Sequence, residues 1–410
     1  MFETASSAVA WLRTPEAIRE RCGIIFAAAE RDALRHFSYR PERLPELARF
    51  VACVIREAYP SLDIPYHARW RHFAVGGHDR WGGLARKLSG ASPAELARIR
   101  FSLAVTSVLL DAGAGPAWRY REPATGETYA RSEGLAVASF DLFASGAFSS
   151  MPERTLRGDA DGLARITAER LAEAFQVRSG NELIGLEGRA ELLRRLAGAL
   201  RASPDLFGTA PPRIGSLFDY LAATGRVAAP KILDAVLRGF GSIWPGRIEL
   251  DGVNLGDVWR HPAVGGAAIG GADLTAGLVP FHKLSQWLTY SLVEPLEDAG
   301  ITVTDIDKLT GLPEYRNGGL FLDGGVLVPK HDGVLRERHA VDSEVVVEWR
   351  ALTVVLLDRI APLIGRELGR DLPLAKVLEG GTWAAGRRLA AERRPGGVPP
   401  ITVDSDGTVF

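Results

Sequence analysis

"DSEVVVEWRALTVVLLDRIAPLIGREL" occupies residues 342–368, and its reading decides the class of the chain. The centre, "ALTVVLLDRIAPLI" (351–364), is the most apolar stretch present, but Asp358, Arg359 and Pro362 interrupt it. A bilayer-spanning helix takes about 20 apolar residues in a row. This stretch is too short and too interrupted for that, and too long for a strand, so it predicts a helix buried in a protein core. No run of 18 apolar residues occurs elsewhere, and no membrane partner is expected.

Working outward, the same helical periodicity recurs along the chain. Residues 6–34 read as helix, with Thr14 before Pro15 in a cap-like arrangement. Residues 41–59 place Leu47, Val51, Val54 and Ile55 on one side. Residues 92–113 open with a serine followed three positions later by Glu95, a capping box. Residues 158–177, 187–202, 229–244 and 280–300 repeat the pattern. Strand signals are few: a hairpin at 118–131, and short strands within 247–259, 324–329 and 401–410. Helix–strand alternation of the doubly wound kind is missing, as is any repeat of 20–50 residues. The expected fold is mainly α, one large helical domain over 1–410 with a few short strands. Its natural sub-parts are 1–150 and 151–410.

Hydrophobic residues are 46% of the 410 and charged residues 24%, ordinary for a globular protein with a sizeable core. A net charge of −1 gives no general attraction to nucleic acid. Cys22 and Cys53 lie far apart on apolar segments and read as two buried thiols. The opening "MFETASSAVAWLRTPEAIRER" lacks a basic start followed by an apolar stretch. The expected compartment is the cytoplasm. His67 and His72 are five apart, and His261 and His282 fall in other segments. With no HExxH and no clustered cysteines, neither a metal nor a cofactor is expected. The glycine-rich 252–277 stretch lacks the strand–glycine–helix context of a dinucleotide site and reads as a loop.

Four segments hold more polar and aromatic groups than packing requires. In "IPYHARWRHFAVGGHDRW" (64–81), Arg69, Arg71 and Arg80 have the planar fork that matches phosphate oxygens, and Tyr66 and Trp70 suit a ring or sugar wall. The competing reading has these arginines solvated or paired with acids. In "YARSEGLAVASF" (129–140), Arg131, Ser132 and Glu133 start an apolar helix, either as caps or as a site for a ligand anion or hydroxyl. In "VPFHKLSQWLTYSL", His282 precedes Lys283 in a helical first turn, where a cation is disfavoured unless an opposing charge meets it. In "TDIDKLTGLPEYRNGG", Asp305, Asp307, Glu314, Tyr315, Arg316 and Asn317 crowd together. There Asp305 would cap a short helix that Gly311 ends, and Pro313 would open the next. The alternative is three solvated acids, one of them capping.

Taken together, "PYHARWRHF", "YARSEGLAVASF", "PFHKLSQWLTYSLVEPL" and "DIDKLTGLPEYRNGGLF" resemble the uracil catabolism protein 4 family over nearly the whole chain. That resemblance implies ribosylurea or its 5-phosphate as the small-molecule substrate, opened to urea and a ribose (phosphate). The C-terminal third also resembles, more distantly, the queuosine salvage glycosidases, which are helical and similar to helix-hairpin-helix DNA glycosylases. By that likeness the catalytic aspartate before a Tyr-Arg pair falls on Glu314, with one extra methylene, and the motif lysine on Lys283. The expected chemistry is hydrolysis of a C1′–N bond through an oxocarbenium-like state. Glu314 would steady the charge and take a proton from water. Asp305, Asp307 or Tyr315 would assist the departing nitrogen, and Arg316, Arg71 or Lys283 would hold the phosphate. Lys283 has an alternative role, attack on C1′ to form an imine. His282, Asn317, His72, Arg69, Tyr66 and the 131–133 group complete the expected binding set. A non-catalytic binder of a nucleotide or sugar phosphate remains the second reading. Oligomeric state is not indicated.

Overall fold

In the computed structural model, which describes residues 4–111, 113–244, 247–265 and 273–404, the deciding stretch forms one helix, Glu344–Leu368. Val346, Val347, Trp349, Leu352, Val354, Leu356, Leu357, Ile360 and Ile364 along it are buried. Each such side chain contributes roughly 1.5–3 kcal/mol relative to exposure. The polar interruptions are edge contacts with the helix Pro15–Glu30: Asp358 meets Arg19 at 2.8 Å and Arg359 meets Glu30 at 2.9 Å. The helix runs through Pro362 and stops where Gly369 takes a left-handed φ of 69°.

The chain is mainly α-helical, as its periodicity predicts, and divides into two compact units. The first comprises Met1–His67, Gly246–Gln286 and Asp305–Phe410; the second comprises Ala68–Pro245 and Trp287–Thr304. The division follows packing and not the 150/151 boundary, and it falls inside the helix Lys283–Asp298.

In the first unit, Glu344–Leu368 packs against Pro15–Glu30 and Leu44–Ala58. The helices Tyr315–Asp323 and Trp383–Arg393 pack closely together. Their approach depends on Gly386, where an added Cβ would sit 2.1 Å from the carbonyl oxygen of Arg316. Phe37–Tyr39 pairs antiparallel with Leu327–Pro329, and Val258–Arg260 with Leu278–Pro280. Arg338–Ala340 runs parallel to Thr402–Asp404. In the second unit the helices Pro93–Leu109 and Arg131–Ala144 form the packed centre, with the expected hairpin Tyr120–Arg121/Thr128–Tyr129 beside the latter.

Several local expectations change. Residues 6–34 form two helices, Ala5–Leu12 and Pro15–Glu30, because Thr14 accepts the Ala17 N–H and starts a new one. Residues 158–177 likewise split, with Asp159 and Thr167 as separate caps. Ser92 caps its helix, but Glu95 pairs with Arg98 and does not reach back to complete the box. Strands at 37–39, 226–228, 278–280, 302–304 and 338–340 were not expected; each is three residues long, below what alternation can signal. The expected strand at 401–410 is Thr402–Asp404, and its remainder lies outside the described residues. Cys22 is buried, but Cys53 is exposed, on the solvent side of Leu44–Ala58. Among the described residues no helix is long and apolar enough to cross a membrane.

Because the Gly386 contact is with backbone, no rotamer change can relieve it. Gly386→Ala should destabilise the chain by about 1–3 kcal/mol, an overpacking cost. Urea unfolding monitored by far-UV circular dichroism measures it, against Gly23→Ala, where an added Cβ meets nothing within 4 Å.

Candidate functional site

The segment Leu309–Pro313 leads into the helix Tyr315–Asp323. Pro313 does not open that helix; it precedes Glu314, which is the N-cap with φ −108° and ψ 167°. Glu314 Oε1 accepts the Asn317 N–H at 2.6 Å, and Oε2 accepts the Arg316 N–H at 2.8 Å. The carboxylate thus sits at the positive helix end, where negative charge is stabilised. Only 7% of Glu314 is exposed. The helix can lie close because Gly318 packs flat on Trp349, with an added Cβ 2.6 Å from that ring.

The rest of this first turn carries two further buried polar side chains. Arg316 is buried, its guanidinium 4.2 Å over the Trp383 ring and 5.1 Å over that of Tyr315. No carboxylate among the described residues pairs with it. Asn317 is fully buried: Nδ2 donates to the Leu312 carbonyl at 3.1 Å, and Oδ1 has no hydrogen-bond partner among the described residues.

Lys283 begins the helix Lys283–Asp298, as expected, and its first turn is stitched to the Glu314 segment. Gln286 Nε2 donates to the Thr310 hydroxyl at 2.5 Å, and the Thr310 N–H donates to Gln286 Oε1 at 2.9 Å. A second link runs through Asp257. Its Oδ2 accepts the Lys283 backbone N–H at 2.9 Å, and Arg350 grips both of its oxygens at 2.7 and 2.8 Å. Arg350 also reaches the Pro313 carbonyl at 3.4 Å, one residue before Glu314. Burial pushes the Asp257 carboxyl up. The Arg350 charge and hydrogen bonds from Arg350, Trp259 and the Lys283 N–H outweigh it and hold the group well below the usual carboxylate range.

His282 is buried at a left-handed φ of 49°, a costly conformation for a residue with a Cβ. Its Nε2 lies 2.9 Å from the Leu12 carbonyl, and burial pushes its pKa down despite the nearby Asp257 carboxylate. The two aspartates fare differently. Asp305 stands at the head of a short 3₁₀ turn, Ile306–Lys308, but its side chain pairs with Lys308 at 3.3 Å and does not cap. Asp307 is exposed. Tyr66 is half-buried, with Lys376 5.5 Å over its ring.

The remaining expected residues belong to the second unit. Arg69 is fully buried, its Nε on Ser107 at 2.8 Å and Nη1 on Asp111 at 2.7 Å, with the Trp287 ring 5.5 Å away. Its donors are engaged by these internal acceptors. Arg71 pairs with Glu294 at 2.7 Å, and His72 meets Trp287 edge-on at 5.7 Å. The helix Arg131–Ala144 does start at Arg131, with a left-handed φ of 53°. The Ser132 hydroxyl donates to Asp111. Glu133 is half-buried and near enough for its charge to act on Arg69. Arg69 and Ser132 thus meet on Asp111, while Arg71 is paired separately with Glu294.

Sequence reasoning missed Asp257, Gln286, Thr310 and Arg350. Arg350 carried one signal, a cation placed where 345–357 is otherwise a core face. Asp257 carried none, sitting in a glycine-rich stretch read as a loop.

Removing either partner of the Arg350–Asp257 pair strands a buried charge, which costs about 3–5 kcal/mol. Arg350→Met should lose stability on that scale in urea titrations. The pH dependence follows from the depressed Asp257 carboxyl. Its contribution is complete above the unfolded aspartate value of about 3.9 and is lost as pH falls toward the folded value. The stability gap between the natural protein and Asp257→Asn should therefore stay constant from pH 7 to about pH 5 and narrow progressively below about pH 4.

Comparison with known proteins agrees over the whole chain. The family described as "Protein of unknown function (DUF1688)" matches residues 11–410. "Protein urg3" of Schizosaccharomyces pombe is 38% identical over 419 residues, covering 99% of this chain and 100% of that protein. "Uracil catabolism protein 4" of Lachancea kluyveri is 38% identical over 441 residues, covering 99% and 100%. With the expected motifs in place and matches of this length, the chain belongs to the DUF1688 family, that of uracil catabolism protein 4.

Proposed function

We propose that the protein acts in uracil catabolism as an N-ribosyl hydrolase, cleaving the C1′–N bond of ribosylurea or its 5-phosphate. The pathway follows from what its relative is named for. The reaction rests on one observation: a buried carboxylate, Glu314, and an aromatic-framed guanidinium without a carboxylate partner, Arg316, share one helical turn.

In this reading the C1′–N bond breaks with its electron pair going to nitrogen, and positive charge builds on C1′. Glu314 stabilises that charge. Two of its roughly four acceptor sites are used by the helix amides, so others are left for the attacking water. The carboxylate takes the water proton as oxygen bonds to C1′, and the departing nitrogen gains a proton to leave as urea. The unpartnered Asn317 Oδ1 suits a ureido group, which is rich in N–H donors. Arg316 suits the 5-phosphate, since a guanidinium fork meets two phosphate oxygens at once. Lys283 adds a second cation on an element bonded to the same segment. Tyr315 is the candidate donor toward the leaving nitrogen, with Asp305 and Asp307 as alternatives on the preceding turn.

A binding protein of the same pathway is the second reading. Favouring it, both Glu314 oxygens serve as a helix cap, a structural duty that needs no chemistry.

Urea release from ribosylurea and its 5-phosphate separates the two. Glu314→Gln should lower kcat by about 10²–10³-fold, the scale of losing a preorganised charge. Turnover unchanged by that substitution removes Glu314 from catalysis. No turnover of either compound by the natural protein, with binding still seen calorimetrically, moves the assignment to the binder.

A further inference from the structure

We infer that His36, Glu344 and Glu348 form a site for a first-row divalent metal ion, away from the residues assigned above. One ligand atom from each lies within 4.8 Å of the others. All three belong to the first unit. The two glutamates are one helical turn apart on Glu344–Leu368, so both face the same side. His36 immediately precedes the strand Phe37–Tyr39, whose pairing with Leu327–Pro329 brings His331 beside it.

Three features separate this cluster from an ordinary set of surface acids. First, Glu348 is 0% exposed, and no lysine or arginine among the described residues pairs with it. Among the described residues its oxygens receive the Arg35 and His36 N–H groups at 3.3 and 3.2 Å, with His261 Nε2 at 3.5 Å. Buried carboxylates are normally paired with a cation or bound to a metal. Second, His36 is 7% exposed, and among the described residues its buried Nε2 has no hydrogen-bond partner, lying 4.0 Å from Glu344 Oε1. Its other nitrogen, Nδ1, lies 2.9 Å from His331 Nε2. If Nδ1 donates there, the Nε2 lone pair points into the carboxylates. Metal-bound histidines are held in this way, the outer nitrogen donating to a fixed acceptor. Third, Glu344 is 30% exposed, which leaves a route for an ion and its water.

His261 is a positioning residue here. Its Nδ1 accepts the Ala263 N–H at 3.2 Å, which leaves the proton of the neutral ring on Nε2, facing Glu348. The direct set is thus one imidazole and two carboxylates. Ligands around a tetrahedral metal at about 2.0–2.2 Å stand roughly 3.4 Å apart, so the present spacing needs only a small contraction. Mixed nitrogen and oxygen donors suit zinc, manganese or iron(II), with water completing the shell. Two carboxylates this close repel one another, and a divalent cation between them removes that repulsion.

The test uses the full chain, stripped with EDTA and titrated calorimetrically with Zn²⁺ and, separately, Mn²⁺. Saturation near one equivalent is expected for at least one of them, with a rise in Tm. Glu344→Gln, which alters a partly exposed side chain, should fold normally and bind at least about tenfold more weakly. His36→Gln should abolish the Tm rise. Absence of saturable binding by the natural protein overturns the site, and so does binding unchanged in both variants. Urea release plays no part in the readout, so the metal site and the hydrolase reading can fail separately.

Discussion

The buried pair of Arg350 and Asp257 is the constraint on which the candidate site depends. Asp257 lies in a stretch of loop and short strands, yet four donors converge on its carboxylate. Each donor belongs to something the site needs. The Lys283 N–H fixes where the helix Lys283–Asp298 begins, and Arg350 anchors the core helix Glu344–Leu368. Trp259 anchors the neighbouring strand. Arg350 then extends the network to the Pro313 carbonyl and so sets the approach to Glu314. Stability is a weak reason to keep such a pair, because apolar residues of similar volume often do as well. A network that joins residues 257, 283, 313 and 350 also specifies register, which apolar packing does less sharply.

Much of this was legible in the sequence because it is local. Helix class came from periodicity, and the caps at Thr14, Ser92 and the 131 start came from residue type beside an apolar run. Lys283 in a first turn and Glu314 beside a turn are likewise matters of a few neighbouring residues. What escaped was non-local. Asp257 and Arg350 are 93 positions apart, and neither stands out until the fold joins them. The same holds for Arg69, read as a phosphate clamp, whose partner Asp111 lies 42 residues away at a helix end. An arginine looks the same in sequence whether its fork meets a phosphate or a buried aspartate.

The cap position of Glu314 shows how one residue can satisfy both the structural and the chemical reading. Aspartate, serine and threonine are the usual caps, being short enough to fold back on their own helix. Glutamate needs an extra methylene to make the same bonds, and Glu314 makes them to both Arg316 and Asn317. The outcome is a carboxylate whose direction is fixed by backbone and not by a flexible partner. Such fixing is what a charge-stabilising group requires, since it then spends no energy reorganising as charge develops.

The first unit handles buried charge in two contrasting ways. Asp257 is neutralised by a guanidinium that grips both oxygens, and nothing further is needed. Glu348 is more deeply buried, at 0% exposed, yet receives only two backbone N–H groups and one imidazole edge. Two neutral donors do not repay the desolvation of a full charge. Glu348 and Arg350, the partner of Asp257, are both on the first turns of Glu344–Leu368. Arg350, two positions beyond Glu348, faces away toward Asp257 and is committed there. Among the described residues no lysine or arginine supplies a positive charge at Glu348, and the neighbouring groups that can carry one are the imidazoles of His36 and His261. Beside a histidine whose nitrogen is held without a partner, a bound cation is the simplest source.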